Sequence, residues 1–107
     1  WAVRPDGGPP QPVDCEADLV VGVEPSYEYT QISVTLTPGT RLMVCSDGVI
    51  EQNNPAGDQF SRERAVDCFA ATNGPEEDVE TLVACVLEYA ATDALSDDVT
   101  VASIVCR

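Results

Sequence analysis

The run Leu42-Met43-Val44-Cys45 is apolar at every position; it is entered from Thr37-Pro38-Gly39-Thr40 and left through Asp47-Gly48. Proline then glycine at the centre of the entry tetrapeptide predicts a type II turn. The unbroken apolar run predicts a strand with both faces covered. In Gln31-Ile32-Ser33-Val34-Thr35-Leu36 apolar and polar residues alternate strictly, the pattern of a half-buried strand with Ile32, Val34 and Leu36 on its inner face. Leu19-Val20-Val21-Gly22-Val23 is a short apolar run, read as extended, and Trp1 to Arg4 reads as the end of another strand before the turn chemistry of Asp6-Gly7-Gly8-Pro9-Pro10.

Two helical periods follow. Ser61 is placed to cap a short helix with Ala65, Cys68, Phe69 and Thr72 inward. Gly74-Pro75-Glu76-Glu77-Asp78 is a helix start, with proline first and acids in the first turn. Val79, Leu82, Val83, Val86, Leu87 and Ala90 then mark one face at helical spacing. A β-branched segment from Val99 to Cys106 predicts a last strand. Strands, two helices and a closing strand give an α+β fold with helices laid on one sheet.

Composition narrows the chemistry. The 107 residues carry 19 acidic and 5 basic side chains, for a net charge of −14, and every base is an arginine. Without histidine there is no Ser-His-Asp triad, no Cys-His pair and no histidine-bound zinc; without lysine there is no P-loop lysine and no Schiff base. The charge disfavours nucleic acid and anionic membrane surfaces as partners. A chain of this length makes one domain. Its five cysteines, Cys15, Cys45, Cys68, Cys85 and Cys106, lack metal-pair spacing and are odd in number. They read as small hydrophobes kept as thiols in a reducing, cytoplasmic setting. There is no apolar signal core and no membrane-spanning run, and the start at Trp1 reads as mid-element.

Most acids belong to a solvated surface, and Glu76, Glu77 and Asp78 read as helix-start charges. Three acids differ by position. Asp47 follows the most apolar strand; Asp97 and Asp98 precede the last one. If those strands are antiparallel neighbours, the three carboxylates share one rim of the sheet. Close carboxylates repel, and a divalent cation relieves the repulsion. Oxygen-only donors favour Mg²⁺ or Mn²⁺ over zinc. Gly48 lets the backbone turn sharply there. The bland alternative is an Asp-Gly turn and an exposed Asp-Asp loop.

At these residues the sequence resembles a known family. Leu36-Thr37-Pro38-Gly39-Thr40-Arg41-Leu42-Met43-Val44-Cys45-Ser46-Asp47-Gly48-Val49-Ile50-Glu51 looks like the central motif of the PPM-type metal-dependent serine/threonine phosphatases, in the branch similar to the sporulation stage II E phosphatase. Asn54-Pro55-Ala56-Gly57-Asp58-Gln59-Phe60 is similar to the family's flap, and Ser96-Asp97-Asp98-Val99-Thr100 resembles its closing motif. Arg4-Pro5-Asp6-Gly7 and Val20-Val21-Gly22-Val23 also sit at family-like places, so the resemblance covers the whole chain.

The resemblance implies an antiparallel β-sandwich flanked by helices (αββα), of which residues 1–107 are the C-terminal half. It implies two Mn²⁺ or Mg²⁺ ions that activate water against phosphoserine or phosphothreonine. Asp47 and Asp97 take the place of metal ligands; Asp98 ranks third, as a ligand or the holder of a coordinated water. The substrate it implies is a phosphorylated protein, such as an anti-sigma-factor antagonist in bacterial signalling. The family's bridging aspartate belongs to the first half, and Asp6-Gly7-Gly8 does not replace it. The chain alone is therefore expected to be inactive, and to need the missing half or a second copy to cover its sheet. A degenerate, phosphatase-like binding or regulatory module is the alternative, and a plain acidic domain is a third.

Overall fold

A computed structural model describes residues 1–14, 17–92 and 94–107 of the chain, so Cys15 lies outside the described residues. The elements run β1 (Ala2–Arg4), β2 (Gln11–Pro12), β3 (Arg41–Cys45), α1 (Asp47–Ile50), α2 (Ser61–Ala70), α3 (Pro75–Ala90) and β4 (Val101–Val105). The strands form one antiparallel sheet in the order β2-β1-β3-β4. The central pairing runs from Arg41↔Val105 to Cys45↔Val101, so the end of β3 lies beside the start of β4. The fold is α+β, as the alternation of periods predicts.

Strand alternation divides the sheet into unlike faces. Ala2, Met43 and Arg41 are buried beneath the helices, where Val49, Phe60, Ala65, Phe69, Leu82 and Val86 complete the core. Val3, Leu42 and Ile104 stand in register on the other face, with Val44 beside Ala102. There Val44 and Ile104 remain 41% and 55% exposed. The expectation that Leu42 to Cys45 has both faces covered is therefore corrected. The helices seal one face only, and no element among the described residues lies on the other.

The segment from Leu19 to Leu36 also departs from expectation. Neither Leu19 to Val23 nor Gln31 to Leu36 joins the sheet. Val20, Val21 and Val23 are exposed, as are Ile32 and Val34. Alternation specifies a strand only where a sheet edge receives it, and no strand among the described residues pairs with this one. Local bonds organise the segment instead. Asp18 accepts from the Tyr27 hydroxyl at 2.9 Å and from the Thr30 amide at 2.8 Å, and the Tyr27 and Tyr29 rings meet edge to face. The turn before β3 does form as predicted. The Thr40 amide donates to Thr37 O at 2.9 Å, and Gly39 has φ 86°, the left-handed value that position requires.

Helix α2 buries Ala65 and Phe69, as its spacing predicts, and Thr72 just beyond its end is also buried. Ser61 does not cap it. Phe60 stands at the cap position and Ser61 is already the first helical residue; the Ser61 hydroxyl holds the Glu63 carboxyl below the usual range. The C-terminal carbonyls have no cation from α2 itself. The sheet supplies it: Arg4 Nη1 donates to Phe69 O at 2.9 Å and to Thr72 O at 2.5 Å, and Arg41 Nη2 donates to Thr72 O at 2.8 Å. Two guanidinium groups thus satisfy orphan carbonyls at the negative end of the helix.

Helix α3 starts at Pro75 and turns Leu82, Val86 and Ala90 inward. Asp78 is the exception to the reading of its first turn as solvated charge. It is 1% exposed. Arg41 Nη1 donates to its Oδ1 at 2.5 Å and Ser103 Oγ donates to its Oδ2 at 2.5 Å, with Thr72 Oγ1 a third donor. Arg41 also lies 5.2 Å from the Phe69 ring centre. The four described cysteines are half-buried free thiols. Among the described residues no helix is long and apolar enough to cross a membrane.

Two outcomes follow from these contacts. Asp78→Ala leaves Arg41 charged and buried without its partner, so urea denaturation shows a loss of about 3–5 kcal/mol, and the double variant Arg41→Met/Asp78→Leu loses less than that. Ala91 ends α3 with φ 53°, a conformation that costs a Cβ-bearing residue energy. Ala91→Gly therefore raises stability by roughly 0.5–1 kcal/mol in the same assay.

Candidate metal centre

The register that ends β3 beside the start of β4 brings Ser46-Asp47-Gly48 against Asp97-Asp98-Val99-Thr100. Ser46 joins the two segments. Its amide donates to Thr100 O at 2.9 Å. Its hydroxyl donates to Asp98 O at 3.2 Å and accepts from the Thr100 amide at 3.0 Å. A hydroxyl serves here because one atom both gives and receives. Gly48 is buried in the contact, and a Cβ at position 48 would stand 2.2 Å from Asp98 O and 3.6 Å from the Asp97 Cβ. Glycine is required by this close approach, since the backbone here carries no positive φ.

Asp47, the first residue of α1, is exposed. It lines a cavity of about 220 Å³ with Met43, Cys45, Ile50, Arg62 and Ala65. Burial pushes the Cys45 thiol up, and the charge of Asp47 adds to that push. Asp97 and Asp98 are also exposed, and Asp97 Oδ1 accepts the amide of Asp98 at 2.7 Å. The fold thus brings together the two loops that carry the predicted residues. Among the described residues no group of three or more His, Cys, Asp or Glu side chains is arranged to hold a metal ion. The donors fit a hard divalent cation in kind, being carboxylate oxygens on two loops locked together, and no complete shell is assembled among the described residues.

Sequence reasoning missed two residues of this rim. Ser46 carried a signal, since it is the first letter of Ser-Asp-Gly. Gln52 carried none within its polar loop, yet it is 4% exposed. Its Oε1 accepts from the Ser96 amide and hydroxyl, both at 3.1 Å, and its carbonyl accepts from the Phe60 amide at 2.7 Å. It therefore ties the approach to Asp97 to the segment from Asn53 to Gln59, whose ends pair as an isolated bridge.

The profile of stage II sporulation protein E matches residues 1–107. The chain belongs to the stage II sporulation protein E family. No curated protein and no solved structure gives a significant match. Membership links this stage II sporulation protein E family chain to the PPM-type phosphatases in general. Within that family frame, the Ser46–Thr100 and Gly48–Asp98 contacts are what align its two acidic loops.

Gly48→Ala is the sharpest test of the alignment. The added methyl forces the loops apart at a cost of about 1–3 kcal/mol. Hydrogen exchange then quickens at the Ser46 and Thr100 amides while α3 stays protected.

Proposed function

We propose that the chain is the C-terminal half of a PPM-type protein serine/threonine phosphatase domain. The observation that carries this reading is the match over the whole chain, taken with the contact of the Asp47 and Asp97-Asp98 loops at one end of the sheet. Asp47 and Asp97 are the residues that would hold Mn²⁺ or Mg²⁺, with Asp98 in a supporting place. When bound, such ions supply a water activated for in-line attack on a phosphomonoester.

The chain's own contribution is positional. Strand β3 delivers Asp47 at the first residue of α1. Ser46 fixes the separation of the two loops, and Gly48 admits the backbone of Asp98. The first half of the domain would add the bridging carboxylate and a second sheet over Val3, Leu42, Val44, Ala102 and Ile104, making the sandwich. Phosphoserine or phosphothreonine in a protein, such as an anti-sigma-factor antagonist, is the proposed substrate, in the cytoplasm.

The test is Mn²⁺-dependent hydrolysis of p-nitrophenyl phosphate by this chain alone and by the complete domain. Turnover is expected only from the complete domain, and Asp47→Asn lowers it by more than about 100-fold, since even outer-shell changes at metal sites cost 10–100-fold. Full activity in Asp47→Asn removes the assignment. A complete domain that folds but lacks turnover identifies a degenerate binding module instead, and one that also shows no calorimetric heat with Mn²⁺ favours a plain acidic domain.

A further inference from the structure

Cys68 of α2 and Cys85 of α3 face one groove between the two helices. Cys68 and Cys85 both line an open groove of about 570 Å³, with Phe60, Arg64 and Tyr89 around them. Both are half-buried, and both pack against the core. Their helices are in direct contact. Burial first, and the neighbouring Cys85 thiol second, push Cys68 up to about 12. Cys68 therefore rests as a protonated thiol near neutral pH and is no catalytic nucleophile.

The other described cysteines have no such arrangement with each other. Cys45 faces Val101 at one end of the central strand pair, whereas Cys106 follows Val105, which faces Arg41 at the opposite end. Opposite ends of a five-residue strand are too far apart for a disulfide.

We propose that Cys68 and Cys85 form a reversible two-thiol site that closes to a disulfide, with a low-molecular-weight disulfide as its oxidant. One protein thiol gives its proton to solvent and attacks a sulfur of the small disulfide. That S–S bond breaks, and one small thiolate leaves with the electron pair and takes up a proton. The second protein thiol, also deprotonated, then attacks the protein sulfur of the mixed disulfide and expels the second small thiolate, which is protonated in turn. Two protein thiols are oxidised by two electrons and one small disulfide is reduced to two thiols, so atoms, protons and electrons balance. The first step is slow because burial keeps the Cys68 thiol protonated. The second is fast because its partner is already alongside. Closure ties α2 to α3 in a groove whose rim includes Asn54 and Pro55. This inference does not depend on the phosphatase reading.

The experiment treats the reduced chain with excess glutathione disulfide, quenches with acid, alkylates the remaining thiols and digests after glutamate. Cleavage at Glu76 and Glu80 separates Cys68 from Cys85. Non-reducing mass spectrometry is expected to show one cross-linked peptide pair, Cys68 to Cys85, that dithiothreitol abolishes, with Cys45 and Cys106 linked to neither. In urea the same treatment scatters the links. In Cys68→Ser and in Cys85→Ser the remaining thiol ends as a glutathione adduct or stays reduced. Recovery of Cys68 and Cys85 from the folded wild-type chain as separate adducts or alkylated thiols overturns the proposal, and so does a folded-state pattern as scattered as that in urea.

Discussion

The ion pair between Arg41 and Asp78 holds the sheet and the helical layer to one another. Arg41 leads β3 and Asp78 sits in the first turn of α3, so a single contact fixes where the longest helix crosses the central strand. Two buried charges are costly to desolvate, and they are tolerated only when every remaining donor and acceptor is used. Here Thr72, Ser103 and the ring of Phe69 complete the set, and no buried side-chain nitrogen or oxygen among the described residues lacks a partner. Arg4 extends the same logic to the end of α2. In a chain short of cations, two of the five arginines are spent inside, on the fold.

Much of this architecture was legible because burial imposes period. Phe69 in α2, with Leu82 and Val86 in α3, announced themselves by spacing, and Pro38-Gly39 announced its turn. The buried charge was missed although its period was present: Asp78, Leu82 and Val86 fall on one helical face, and Arg41 alternates with Met43 and Cys45. Charge masked position, because a carboxylate in a first helical turn already has an adequate solvated explanation. The opposite error occurred at Ile32 and Val34. Their alternation is genuine, but it states which side of a strand is apolar and says nothing about which sheet receives it.

The acidic rim divides in the same way. That the Asp47 loop lies against the Asp97-Asp98 loop followed from two apolar strands read as antiparallel neighbours, and the register bears out the neighbourhood of the loops. How the loops are held did not follow. The Ser46 hydroxyl bridging to Asp98 and Thr100, and Gln52 reaching Ser96, are contacts between residues more than forty positions apart. A short polar side chain in a loop has too many local uses for its distant one to be visible in sequence.

The packing of Gly48 against the Asp98 carbonyl has a genetic corollary. Every glycine codon becomes an alanine codon by one base change, so a single nucleotide can pry the rim open while leaving all three aspartates in the gene. Such an allele would keep its acidic signature in any alignment and yet lose the alignment of its loops. At this locus the informative letter is the small one beside the charge.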